Sequence, residues 1–493
     1  MTDPSQLSAR QQELLARELE RRKAAVVQPI QPRPAGEPPP LSLAQRRLWF
    51  LDRIAPGRAT YNATLTMRIE GPLHVDTLRD ALDLVVRRHE ALRTVGVDVD
   101  GEPVGKLLDE GARWRSRDID EADLPSALAA DAREPFDLTA DVMLRGSLYR
   151  LGPDRHVLIL VMHHIACDGW SRGVLFDEIA EIYNAAVEGR PPRLPELKVQ
   201  YGDYAKWQVQ QLSGSRASRS DEFWRKELEG ADVVLDLPVD FPRAGAHEHL
   251  GERVAMDGEP GSGDAFRALA RGERTTYFMA MMAATGALLS SLSGQEDVVL
   301  GSPVANRQQP ELEGLIGFFV NTLILRVRLE GDPTFRELLG RCRTTALACL
   351  AHQDTPLDRV VEVVNPRRVP GRNPLFQVNF RMQGKAPPPP QLTGLVVTRM
   401  LTDTGSARFD LAVGVNDEPG ALRGYIEYTS SLFRATTAQA LQATFVDLVA
   451  WVTAEPDVRL SVLRPRVQEA FATHKQTREA AAAPAARSIR RRS

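Results

Sequence analysis

HVLILVMHHIACDGWS, residues 156–171, decides how the rest of the chain is read. Its first half is apolar at every position from Val157 to Met162, which predicts a strand covered on both faces. Two histidines end that strand, an Asp-Gly turn follows, and Leu175, Ile179, Ile182 and Ala186 continue at helical spacing until Gly189 and Pro191 stop them. Imidazoles are costly beside an apolar strand unless they are used or hydrogen-bonded. Successive strand residues point to opposite faces, so His163 and His164 are expected in different surroundings, one facing a cavity and the other packed. The same alternation argues against a shared metal ion at His163, His164 and Asp168. A pair of purely structural histidines is the alternative for this segment by itself. Cys167 beside two histidines also raises the reading of a thiol nucleophile.

Outward from this stretch, helical and strand periods interleave from Leu41 to about Glu455, as in a mixed α/β protein. Leu78, Leu82, Val85 and His89 mark a helix from Asp76. The polar run QLSGSRASRSDEF (211–223) is the expected connection between two halves. In the second half, Leu323, Leu325, Val327 and Leu329 alternate as a strand, and so do Phe376, Val378, Phe380 and Met382. Between them Phe335, Leu338, Leu339, Cys342, Ala346 and Cys349 form a helical stripe, and Leu441, Phe445, Leu448 and Val452 mark a last helix. Residues 1–40 stand apart: Ser8 and Gln11 form a capping-box pattern ahead of Leu14, Leu15 and Leu19, and the Pro-rich QPIQPRPAGEPPP follows. The helix is too short for independent stability and reads as a frayed tail or as a docking element for an upstream protein. Beyond Pro456 the apolar content fades into an Ala-rich tail, expected to be disordered. No internal repeat is visible.

Composition sets outer limits. The 493 residues are 43% hydrophobic and 26% charged, with a formal net charge of −3, which gives no footprint for nucleic acid or a membrane surface. No apolar run approaches the roughly 18 residues of a membrane span. The polar N-terminus offers no secretory segment, and three cysteines make no disulfide framework, so a cytoplasmic location is expected.

The histidine segment has the form HHxxxDG, and six further stretches accompany it: LSLAQRRLWFL (41–51), RHEALRT (88–94), YGDYAKWQ (201–208), IGFFVNTLILR (316–326), HQDTPLDRV (352–360) and RNPLFQVNF (372–380). In content and order these resemble the motifs of condensation domains of nonribosomal peptide synthetases, over residues 41 to about 455. Leu357 departs from the pattern, standing where the family more often has Phe. The resemblance implies an α/β fold of two chloramphenicol acetyltransferase-like lobes in a V-shaped pseudo-dimer with a tunnel between them. The N-lobe is then 41–205, the connection 206–224, the C-lobe 225–455 and the tail or linker 456–493.

The resemblance further implies an acyltransferase that joins a donor acyl or aminoacyl thioester to an acceptor aminoacyl thioester through an amide bond. Upstream donor and downstream acceptor carrier proteins would be its partners, alongside adenylation domains or other synthetase modules. No cofactor is bound directly; phosphopantetheine arrives on the carriers. His164 takes the tunnel-facing role and His163 supports the loop. Asp168 pairs with an arginine, for which Arg307 is the candidate, and the Gly169 N–H approaches the substrate or oxyanion. Trp170, Ser171, Arg307 and Asn321 are candidate substrate-positioning residues. The look of the motifs suggests an LCL-type domain. Epimerisation domains share the fold and histidines, but DGWS with RNPLFQ favours condensation; heterocyclisation domains carry Asp in place of the first histidine. A catalytically silent recruitment domain would tend to lose the histidines. No adenylation domain or pantetheine-bearing carrier motif is visible.

Overall fold

The computed structural model describes residues 29–489 apart from 244–249, 385–386, 401 and 403–404. The docking helix expected near residues 8–19 lies outside the described residues. In the first half, α1 (Leu43–Ile54), β1 (Asn62–Glu70), α2 (Val75–Arg88), β2 (Thr94–Val99), β3 (Glu102–Leu107), β4 (Arg113–Asp118), α3 (Leu124–Arg133), β5 (Leu144–Gly152), β6 (Arg155–His163) and α4 (Ser171–Val187) follow one another. β6 lies between β1 and β5, antiparallel to both, and is buried from His156 to His163, which accounts for its unbroken apolar run.

Two helices, α5 (Tyr201–Gln211) and α6 (Gly214–Glu227), carry the chain to the second half. The expected polar connection is thus two helices with a break of two residues between them. Tyr204 still belongs to the first hydrophobic core and Trp224 to the second. The second half contains β7 (Gly251–Asp257), α7 (Ser262–Gly272), α8 (Tyr277–Ser293), β8 (Asp297–Val304), β9 (Asn321–Arg328), α9 (Phe335–Leu350), α10 (Leu357–Val364), β10 (Val378–Gln383), β11 (Val396–Met400), β12 (Leu411–Asn416), β13 (Arg423–Thr429), α11 (Ala435–Ala454) and α12 (Leu460–Ile489). Its six-stranded sheet has the order β7-β13-β12-β10-β8-β9. Among the described residues no single helix is long and apolar enough to cross a membrane.

Two stretches of the second half leave it and complete the first. The five-stranded sheet has the order β11-β1-β6-β5-β4, so Val396–Met400 forms its edge, antiparallel to β1. The loop between β8 and β9 inserts Leu312, Leu315, Ile316, Phe318 and Phe319 into the first core. A division at 206–224 therefore separates the two halves only in sequence.

Both ends also differ from expectation. The Pro-rich segment is extended but anchored: Ile30 is buried, and Arg33 pairs with Glu90 at 2.7 Å and Asp203 at 2.8 Å. The tail expected to be disordered from 456 is helical from Leu460, with Leu460, Leu463 and Val467 buried in the second core. Those apolar residues fall on one helical face, and the alanines that dilute hydrophobicity are strong helix formers.

Candidate active site

The site begins where β6 ends. His163 pairs in register with Asn62, and the His164 N–H donates to the Tyr61 carbonyl at 2.9 Å. The chain then tightens into a short 3-10 turn, His164–Ala166. His164 is thus the first turn residue, and the turn, not strand alternation, separates the two rings. His163 is buried edge-on to Tyr61 and Phe136, and its Nδ1 accepts from the Ile165 N–H at 3.2 Å. Burial, with Arg408 and Arg145 nearby, pushes its pKa down to about 3. His164 keeps part of its surface open and lies edge-on to Phe318, with ring centroids 5.7 Å apart. Its Nδ1 is buried and without a hydrogen-bond partner among the described residues. Burial first, then Arg408 and Arg172, hold His164 well below the usual imidazole range. Both rings are neutral at pH 7, and only His164 is open.

Asp168 is the hub of the loop. Its carboxylate accepts from the Ser171 N–H (2.9 Å), the Ser171 hydroxyl (2.8 Å), the Phe319 N–H (3.1 Å) and Arg307 Nη2 (3.1 and 3.3 Å). The Asp168 and Arg307 side chains are 3% and 1% exposed. Arg307 also donates to the carbonyls of Leu312 and Leu315 and lies 4.0 Å over the Phe319 ring. The ion pair therefore ties the histidine loop to the crossover loop.

Several positioning roles change accordingly. Ser171 is fully buried, with its hydroxyl donating to Asp168 and placed 3.0 Å from the Gly317 carbonyl. Together with Arg307 it holds protein, not substrate. Asn321 donates to the carbonyls of Gln353 (2.9 Å) and Thr355 (2.6 Å) and accepts from the Leu357 N–H (3.1 Å), which occupies both amide hydrogens with backbone. Trp170 is 48% exposed and anchored by its indole N–H on the Glu313 carbonyl at 2.9 Å, so it presents a face at the seam. Gly169 is exposed, has no positive φ, and a Cβ there would meet nothing within 4 Å. The tight-turn reason for this glycine does not hold; only its open side is left to explain it. Cys167 is buried, its thiol lies 3.5 Å from the His163 carbonyl, and burial pushes its pKa up to about 12, which removes it as a nucleophile.

The motifs at 41–51, 88–94 and 201–208 converge on the same two loops. Ser42 and Gln45 form a capping box that starts α1, and the Gln45 amide donates to the Ile165 carbonyl at 3.0 Å. Ser42 meets the Tyr201 hydroxyl at 2.9 Å, and that hydroxyl lies 2.7 Å from the Phe318 carbonyl. Gly317 is required where it stands, because a Cβ would collide with the Tyr201 ring. His89 bridges Glu178 (2.8 Å) and the Ile316 N–H (3.2 Å). Sequence reasoning missed Phe318, Arg172 and Arg408 as site residues. Arg172 had a signal in directly following the loop; Arg408, some 240 residues away, had none.

A family profile described as Condensation domain matches residues 37–468. Over 442 residues the chain is 40% identical to malpinin synthetase of Mortierella alpina, covering 88% of this chain and 6% of that protein. Over 470 residues it is 39% identical to phosphinothricin tripeptide synthetase PhsC of Streptomyces viridochromogenes, covering 93% and 43%. The chain thus spans less than half the length of either synthetase. Among solved structures, the X-domain from teicoplanin biosynthesis matches with a TM-score of 0.83 at 27% identity, over 88% of this chain and 99% of that one. The first condensation domain of the calcium-dependent antibiotic synthetase matches in fold, with a TM-score of 0.72 at 20% identity over 87% of this chain and 98% of that one. The architecture is the chloramphenicol acetyltransferase-like one of these neighbours. The chain belongs to the condensation-domain family, the acyltransferase domains that form amide bonds in nonribosomal peptide synthetases.

Proposed function

We propose that this chain transfers an acyl or aminoacyl group from an upstream donor carrier to the α-amine of an aminoacyl group on a downstream acceptor carrier, with His164 serving the attacking amine. The observation that carries the assignment is the contrast between the two rings: both neutral, one enclosed and one open at the seam with the crossover loop. The acceptor nitrogen attacks the thioester carbonyl, a C–N bond forms, and the tetrahedral intermediate expels the pantetheine sulfur as the C–S bond breaks. As the C–N bond forms, the nitrogen becomes acidic, and a neutral His164 orients the amine and accepts its proton, then returns one to the leaving sulfur. A free α-amine has a pKa of about 7.7–8, so an appreciable fraction is already nucleophilic near neutrality. Alignment of two tethered substrates supplies as much of the acceleration as the base or more.

Asp168 and Arg307 are assigned to holding the histidine loop against the crossover loop, and Gly169 to the open side facing the reacting carbonyl. Adenylation and carrier domains act with it, in trans or in the parent chain; phosphopantetheine arrives on the carriers. The two acyl units are L-configured, as in LCL-type domains. Three cysteines buried as free thiols suit a reducing cytoplasm. The test uses two carriers, one loaded with a donor and one with an acceptor aminoacyl group. Mass spectrometry of the acceptor carrier is expected to show the added acyl mass, with no product from free amino acids and ATP. Product formed from the free amino acids would overturn the assignment.

A further inference from the structure

Four polar residues from three separate stretches close a ring beside the start of α5. Arg33, in the extended Pro-rich segment, gives one guanidinium nitrogen to Glu90 at 2.7 Å and another to Asp203 at 2.8 Å. Its backbone N–H meets the same Asp203 oxygen at 2.9 Å. The second Asp203 oxygen accepts from the Gln200 N–H at 2.7 Å, and the Gln200 side-chain oxygen accepts from the Glu90 N–H at 3.1 Å, which completes the circuit. The Arg33 and Asp203 side chains are 6% and 5% exposed, so the ring is enclosed. A Cβ on Gly202 would collide with the Arg33 guanidinium and with Pro39, which places the segment directly on the helix backbone.

Two arms lead from this ring to the crossover loop. His89, next to Glu90, accepts from the Ile316 N–H at 3.2 Å, and Tyr201, next to Gln200, holds its hydroxyl 2.7 Å from the Phe318 carbonyl. They grip the loop on either side of Gly317. Phe318 is the residue whose ring stands edge-on to His164, with 5.7 Å between centroids. Arg33 is the one cation paired with Glu90 or Asp203 among the described residues. Without it, two carboxylates drawn to one guanidinium are left facing each other away from bulk water, where like charges repel more strongly. The stretches that carry them would part, and the two arms with them.

We propose that Arg33 is a positioning residue for the transfer reaction: by holding the Glu90 and Asp203 carboxylates together, it sets Phe318 against His164 and so fixes where that ring meets the acceptor amine. This rests on the condensation reading above. Arg33 makes no contact with substrate; it acts through the start of α5, the turn at Glu90 and the crossover loop. A guanidinium suits the task because its planar fork serves two carboxylates at once, whereas an ammonium is a single point charge. The Pro-rich segment is then a working part of the domain and not packing alone.

The test uses the full chain with two loaded carriers, at a temperature well below every melt. Arg33→Ala is expected to lower single-turnover transfer at saturating carrier roughly ten-fold, as a small misplacement near the chemistry does, while the half-saturating carrier concentration stays near the parent's. Arg33→Lys is expected to fall between the two, and it takes the place of Arg33→Ala if that variant does not fold. Arg33→Ala/Glu90→Gln removes the facing charge and is expected to regain part of the lost rate. With histidines isotope-labelled at Cε1, the His164 signal, identified by its loss in His164→Ala, is expected to shift in Arg33→Ala as the Phe318 ring moves. A parental rate, or a slower rate with the His164 signal unmoved, overturns the proposal and leaves Arg33 a stabilising anchor. A double variant no faster than Arg33→Ala overturns it too. A loss confined to the half-saturating concentration also overturns it, and assigns the segment to carrier docking. A His164 signal that shifts although the parent transfers nothing sinks the condensation reading and leaves the positioning contact standing.

Discussion

Asp168→Ala removes the carboxylate that joins the histidine loop to the crossover loop, and its cost follows from the contacts. Arg307, 1% exposed, loses its only ion-pair partner among the described residues, and the backbone N–H groups of Ser171 and Phe319 lose their acceptor. Breaking one side of a buried pair costs about 3–5 kcal/mol. Arg307 retains the carbonyls of Leu312 and Leu315 and the Phe319 ring, which places its share at the low end of that range. The two orphaned N–H groups add about 2 kcal/mol or more between them, for a total of roughly 5 kcal/mol. For a lobe of some 200 residues this corresponds to a fall in melting temperature of roughly 10 °C. Scanning calorimetry measures it, and single-turnover transfer well below the melt measures activity, which should fall as the loop loses its anchor. Asp168→Ala/Arg307→Met removes the stranded cation as well and should recover at least part of the lost stability. A single variant that melts within about 2 °C of the parent, or a double variant less stable than the single, would refute the reasoning.

His164→Ala is expected to lower single-turnover transfer by roughly 10²-fold or more with little change in melting, since the ring is partly open and unpaired. In the parent the rate should show no inflection near pH 6.5, because His164 is already neutral there; an inflection at that pH would mean a ring of ordinary basicity. His163 has a folded pKa of about 3 against 6.5 when exposed, and His164 is shifted the same way, so the unfolded chain takes up protons that the folded chain does not. Stability should therefore fall on acidification below pH 6.5, by roughly 1.4 kcal/mol per pH unit for each such histidine, and urea unfolding at pH 6.5 and 5 that shows equal or greater stability at pH 5 would contradict this. Arg33→Ala should cost about 3 kcal/mol by stranding Asp203, whose side chain is 5% exposed, and an unaffected melt would mean the Pro-rich segment is not anchored.

What the sequence reveals and hides divides along the range of the interactions. The apolar run before His163 forecasts a strand with both faces covered, and the stripe from Phe335 to Cys349 forecasts a helix, because period and burial are local properties. The motifs mark residues that the fold brings together, but several of them make contacts other than those expected. Asn321 and Ser171 stand beside the chemistry, and their polar groups suggest substrate contacts until the carbonyls they meet are seen. The partition of the two histidines is correct in outcome but rests on the wrong geometry, since the 3-10 turn at His164 leaves no periodic trace. The pairing of β1 with β11 and the hydrogen bond from Arg408 to the Thr60 carbonyl join residues hundreds of positions apart, where spacing carries no information. The tail misled because its alanines dilute hydrophobicity and favour a helix at once.

The strand borrowed from the second half also governs how this chain is made. Thr66 cannot meet Met400 until residue 400 has left the ribosome. At about 5–20 residues per second that wait is on the order of 20–60 s, during which one edge of β1 stays unpaired. An open edge of that kind is a template for pairing with another chain, and the apolar positions that Phe318 and Phe319 later fill are bare over much of the same interval. A nascent first lobe thus keeps an open edge and bare apolar positions, and a fragment ending after α6 keeps them for good, because the pieces that close it are encoded after the cut.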